Sequence, residues 1–118
     1  MADSILQSKS FAFAIRVVRL YQYLRVRKQE YVLSKQILRS GTSVGAMVRE
    51  AAYAESKADF IHKMAIAQKE TNEALYWVEL LASTDYLTPN QATSLHNDAL
   101  ELLKILTSSI KTAKISLN

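Results

Sequence analysis

The chain has 118 residues, 49% of them hydrophobic and 22% charged, with a formal net charge of +4. That is enough apolar material for a packed core and too much for an intrinsically disordered chain, and the length points to a single domain over residues 1–118. There is no cysteine, which excludes disulfides and thiolate metal sites and makes a reducing, cytoplasmic setting the expectation; the start lacks a signal-peptide pattern and no apolar run is long enough to span a membrane.

Only two Gly and one Pro occur, strand-type alternation is missing, and Ala, Leu, Lys, Glu and Gln dominate, so an all-α chain is predicted. The first helix is expected over about residues 9–28. Phe13, Val17, Leu20 and Leu24 recur at three- and four-residue steps and form an apolar stripe. On another face Lys9, Arg16, Arg19, Tyr23 and Arg27 line up, and Arg25 and Lys28 add charge beside the turn. The second helix is expected over about residues 31–54, with Leu33, Ile37, Val44 and Val48 in register. It carries the small residues Ser40, Gly41, Thr42, Ser43, Gly45 and Ala46. Each interior glycine costs about 1 kcal/mol relative to alanine, so Gly41 and Gly45 call for a compensating reason, either close helix packing or a kink. Their Gly-x-x-x-Gly spacing lies between Arg39 and Arg49, which argues against a membrane dimer motif. Lys35, Arg39 and Arg49 share a face of this helix with Thr42 and Ala46.

The third helix is expected over about residues 56–83. Ser56 followed by Asp59 is a capping-box variant. Phe60, Met64, Gln68, Thr71, Leu75, Val78 and Ala82 form the stripe expected to face the bundle. At ~100° per residue, Ile66, Trp77 and Leu80 fall on the other side from Met64, beside Glu70 and Glu73. That group includes the only Trp of the chain and is the expected oligomer interface. Thr88-Pro89-Asn90-Gln91 then opens a fourth helix over about residues 88–117. Its stripe is Leu95, Ala99, Leu102, Leu106, Ile110, Ala113 and Leu117. Four long helices with short loops predict an antiparallel up-down four-helix bundle.

The charge is uneven. Residues 1–49 hold nine Lys and Arg against Asp3 and Glu30, whereas residues 50–118 hold six Lys against nine Asp and Glu. The basic half either meets a polyanion or is a hydrated face, and charge alone does not separate the two. Two helices carrying Lys9, Arg16, Arg19, Arg25, Arg27, Lys28, Lys35 and Arg39, with Tyr23 interleaved, suit phosphate backbones and a stacked base. Enzyme chemistry has little support. His62 and His96 stand on different helices without a cysteine or a metal-ligand spacing. Asp59-x-x-His62 lacks a second motif, Glu70 and Glu73 read as polar-face residues, and the glycines lack a phosphate-loop context. No metal and no cofactor are expected.

Ser10–Leu24 (SFAFAIRVVRLYQYL), Val32–Ala46 (VLSKQILRSGTSVGA) and Glu55–Leu81 (ESKADFIHKMAIAQKETNEALYWVELL) together resemble the 23S rRNA intervening-sequence proteins over nearly the whole chain. The resemblance implies a small bacterial four-helix bundle assembling as a ring-like homo-oligomer, a pentamer by analogy with related accessory proteins of diversity-generating retroelements, which associate with a reverse transcriptase and nucleic acid. Met47 stands where that family often has Asn, and Arg49 adds charge nearby. The expected function is therefore a non-catalytic oligomeric scaffold that binds nucleic acid, RNA foremost. The alternative is a protein-interaction adaptor serving a partner such as a reverse transcriptase.

Overall fold

The amphipathic stripes close on one another as an all-α four-helix bundle. The computed structural model describes residues 2–117, with side chains described from Ile5 to Ser116. The helices are α1 (Ala2–Arg27), α2 (Leu33–Ala52), α3 (Lys57–Ser83) and α4 (Pro89–Leu117). Each packs on the next in chain order and α4 returns to α1, while among the described residues the diagonal pairs do not approach. The bundle measures 49 × 21 × 19 Å.

α1 starts seven residues before Lys9. Leu6 is buried and extends the stripe of Phe13, Val17, Leu20 and Leu24, a continuation concealed by the polar residues around it. The place of Leu117 in the α4 stripe lies outside the described side chains. Leu95, Ala99, Leu102, Leu106, Ile110 and Ala113 of that stripe are buried.

Local chemistry sets the turns. Gln29 adopts a left-handed φ of 52° and the Glu30 amide donates to the Leu24 carbonyl at 2.9 Å, closing α1. Glu30 then caps α2: the amides of Val32, Leu33 and Ser34 donate to its carboxylate at 3.1, 2.9 and 2.7 Å. These three donors belong to the first turn, where intrahelical partners are missing. At α3, the Asp59 amide donates to the Ser56 hydroxyl at 3.0 Å and the Glu55 amide to the Asp59 carboxylate at 3.3 Å. α3 ends with Asp85 at φ 67° and the Tyr86 amide donating to the Leu81 carbonyl, a Schellman-type ending. At α4, the Gln91 amide donates to the Thr88 hydroxyl and the Thr88 amide to the Gln91 side chain, at 3.2 and 2.9 Å, which is a full capping box.

A close approach joins α1 and α2. A Cβ at Gly41 would sit 2.6 Å from Val17 Cγ2, and one at Gly45 would sit 3.3 Å from the Ser10 backbone oxygen. The glycines let the two backbones meet at this crossing, with buried Ser10 adding little bulk.

α3 differs most from its expected orientation. Its buried stripe is Met64, Ala67, Thr71, Ala74, Leu75, Val78 and Leu81. Gln68 sits at the α4 edge, where its amide donates to the Thr107 hydroxyl at 2.9 Å. Met64 also lies toward that edge, so angles measured from it misplace the helix. From the centre of the stripe, Ile66 and Trp77 are only ~100–120° away. Both are half-buried, as is Leu80, and Trp77 packs against the core of its own bundle. The fully outward expectation is thereby corrected for Ile66 and Trp77, whereas Leu80 lies ~160° from the stripe centre.

Candidate nucleic-acid interface

The predicted basic residues divide into two sets according to whether a carboxylate reaches them. On α1, Lys9 pairs with Glu101 at 2.8 Å and Arg16 with Asp98 at 2.6 Å, so both bridge to α4. On α2, Arg39 bridges to α3, reaching Glu70 at 2.7 Å and also Glu73. The Trp77 indole N–H donates to the same Glu73 carboxylate at 3.0 Å. The hydrogen bond to Glu70, followed by that to Glu73, pushes the Arg39 guanidinium further above its ordinary value. The bond from Trp77, then that from Arg39, holds the Glu73 carboxyl below its own. Glu70 and Glu73, part of the expected oligomer interface, meet Arg39 of the same chain.

The α1 and α2 stripes also do not form one surface. In an antiparallel bundle α1 borders α4 on one side and α2 borders α3 on the other. Lys9 and Arg16 turn to the first seam and Arg39 to the second, so the stripes diverge around the bundle.

The second set gathers at one end. Arg19, Arg25, Arg27, Lys28 and Lys35 make no ion pair among the described residues. All five lie on the last turns of α1, the connection to α2, or the first turn of α2. Arg49, without an ion pair among the described residues, stands at the opposite end of α2. Arg19 and Tyr23 line a shallow cleft of about 240 Å³ with Arg16, Leu20, Leu87 and Gln91.

Glu30 is the one carboxylate within this cationic segment, and it is 7% exposed. Burial works to raise its carboxyl, but the hydrogen bonds from Leu33, Ser34 and Val32 outweigh that and hold it below the ordinary value. It stays ionised while turned away from the surface, so it caps α2 without placing an anion where a phosphate would sit.

Two features escape the sequence reading. Arg25 lies over two aromatic rings, 5.3 Å from the Tyr21 centroid and 5.1 Å from that of Tyr31. And α1 has a second apolar face. Phe11, Ile15 and Val18 are 57%, 41% and 38% exposed and stand opposite the buried Phe13, Val17 and Leu24. The signal was present in FAFAIRVV, which is apolar around most of the helix.

Among the described residues, no group of three His, Asp or Glu could hold a metal ion, and no helix is long and apolar enough to cross a membrane.

A family model described as 23S rRNA-intervening sequence protein matches residues 2–108. The chain is also similar to a solved protein of unknown function from the S23 ribosomal protein family of Bacteroides thetaiotaomicron VPI-5482. The two share 53% identity with a TM-score of 0.93, over 94% of this chain and 99% of that one. No curated protein matches the chain.

Proposed function

Since the chain belongs to the 23S rRNA-intervening sequence protein family, we propose that it is a non-catalytic, self-associating helical scaffold of the cytoplasm. It binds nucleic acid, RNA foremost, through the cationic end of the bundle. The observation that carries this reading is the group Arg19, Arg25, Arg27, Lys28 and Lys35, which has no carboxylate partner among the described residues. Arg16 and Arg39 are already engaged by carboxylates and take a smaller part. Cations without carboxylate partners gain most from phosphate contacts, since counterion release is not offset by breaking an existing pair.

The test uses two variants of equal charge change. In one, Arg19, Arg27, Lys28 and Lys35 become Gln. In the other, the exposed Lys69, Lys104, Lys111 and Lys114 become Gln. Fluorescence anisotropy with labelled RNA and DNA at low salt should show loss of affinity in the first variant by a factor of ten or more, similar across unrelated sequences, and little loss in the second. Equal losses would show that only net charge matters. Absence of wild-type binding would favour the adaptor reading.

The scaffold element is supported by the outer face of α1. Phe11 stands on the rim of a groove of about 450 Å³ between α1 and α2, lined by Ala14, Thr42, Gly45 and Ala46. A protruding aromatic beside a recess of small residues provides both halves of a contact with a second copy of the chain. The acidic flank of α3 pairs within its own bundle, so this face replaces it as the proposed contact. The pentamer implied by the family resemblance is the stoichiometry to test by light scattering. A monomer at micromolar concentration would leave the α1 face to a partner protein.

A further inference from the structure

The cationic end also has an aromatic component that phosphate binding alone does not require. Tyr31 lies in the connection between α1 and α2, is 50% exposed, and lies against the Arg25 guanidinium. Tyr21 contacts Arg25 from a second direction. Val26 and Val32 flank the tip as exposed apolar side chains. The turn beneath is fixed by Gln29 in its left-handed conformation and by the three amides held on the Glu30 carboxylate. An aromatic face is thus presented to solvent on a firmly held loop, at the end of the bundle where Arg27 closes α1, Lys28 lies in the connection and Lys35 stands in the first turn of α2.

The shape of this end bears on what it can take. α1 ends and α2 begins here, and only residues 28–32 connect them. No helix or two-stranded ribbon projects from the tip, so nothing is available to enter a major groove and reach base edges. A duplex also keeps its base faces stacked inside, leaving Tyr31 without a partner. A single strand offers phosphates and bare base faces together, and aromatic stacking plus a cationic track is the chemistry that holds it.

We infer that this tip takes single-stranded nucleic acid in preference to duplex, with a base stacked on Tyr31 and the adjoining phosphates on Arg27, Lys28 and Lys35. Arg25 braces the ring from its other side and adds cation–π attraction. The inference rests on the nucleic-acid reading above and adds the strand class and the stacking residue.

The experiment measures anisotropy of a labelled 16-nucleotide mixed-sequence RNA, about the upper site size of a small single-strand module, alone and annealed to its complement. Wild type, Tyr31→Ala and Tyr31→Phe are compared, with circular dichroism confirming equal folding. Wild type should bind the single strand more tightly than the duplex. Tyr31→Ala should lose at least about fivefold in single-strand affinity, the lower bound for one stacked base, with duplex affinity nearly unchanged. Tyr31→Phe should bind as wild type. Equal binding of both forms, or a single-strand preference that survives Tyr31→Ala, overturns the inference and leaves the nucleic-acid reading standing. Failure of wild type to bind either form at low salt overturns the nucleic-acid reading itself.

Discussion

Gly41→Ala sets helix propensity against packing, and the structure indicates which prevails. Propensity alone favours the change by about 1 kcal/mol. But the new Cβ would lie 2.6 and 2.8 Å from the two Val17 methyls, where carbon atoms prefer roughly 3.5–4.0 Å. Val17 is fully buried, and its branched side chain has few rotamers to retreat into. Overpacking a close-packed site costs roughly 1–3 kcal/mol, and an overlap near ~1 Å against an immobile side chain belongs in the upper part of that range. The expected net effect is destabilisation by about 1–2 kcal/mol, a fall of several degrees in Tm for a domain of this size. Thermal melts followed by far-ultraviolet circular dichroism, at one fixed protein concentration, measure it. A double-mutant cycle isolates the cause: with Val17→Ala already present the two methyl overlaps are gone and only the 3.1 Å approach to Cβ remains, so Gly41→Ala should cost clearly less than in the wild type. A higher Tm for the single variant, or simple additivity in the cycle, would refute the close-approach account.

Three other outcomes follow from particular contacts. Glu30→Ala should cost about 1–2 kcal/mol, because the first-turn amides of α2 lose their acceptor. The Glu30 carboxyl is depressed in the folded state, so its stabilisation is present above the unfolded carboxylate range and lost as pH falls through the lower folded value. The wild-type advantage over Glu30→Ala in urea melts should therefore shrink below about pH 4. Trp77→Ala should lower fold stability by ~2–3 kcal/mol and release Glu73 from its indole, because the ring packs on its own core; an unchanged melt with a smaller assembly would return Trp77 to an interface role. Phe11→Lys with Ile15→Lys should reduce the mass seen by light scattering while leaving helicity and Tm nearly unchanged, and a melt that collapses instead would show that the outer face of α1 serves the fold.

The fold was legible because its signals are local. Thr88-Pro89-Asn90-Gln91 and Ser56 with Asp59 mark helix starts by hydrogen bonds closed within four residues. The stripe from Phe13 to Leu24 needs only the helical period to be seen. Orientation and pairing were less legible, because they depend on neighbours that a single helix does not specify. Ile66 and Trp77 were set on an outer face by angles taken from Met64 at one edge of the stripe, whereas a helix packed on both sides buries a wider arc. Arg16 and Arg39 have the same apparent charge in sequence as Arg19 and Arg27. Only the fold places Asp98, 82 positions away, against the first and Glu70, 31 positions away, against the second. The role of Glu30 was hidden for another reason. It lies two residues before the hydrophobic Val32, outside the usual capping pattern, and curls back onto three amides at once.

In the proposed function, the cationic end of this bundle holds nucleic acid through phosphates. The most direct test is the salt dependence of wild-type binding to a labelled single-stranded RNA, followed by anisotropy across a series of monovalent salt concentrations. Four or five phosphate contacts predict a straight line of log affinity against log salt with a slope of about −3, reduced toward zero when Arg19, Arg27, Lys28 and Lys35 are changed to Gln. A flat line, or no binding at the lowest salt, would contradict the account.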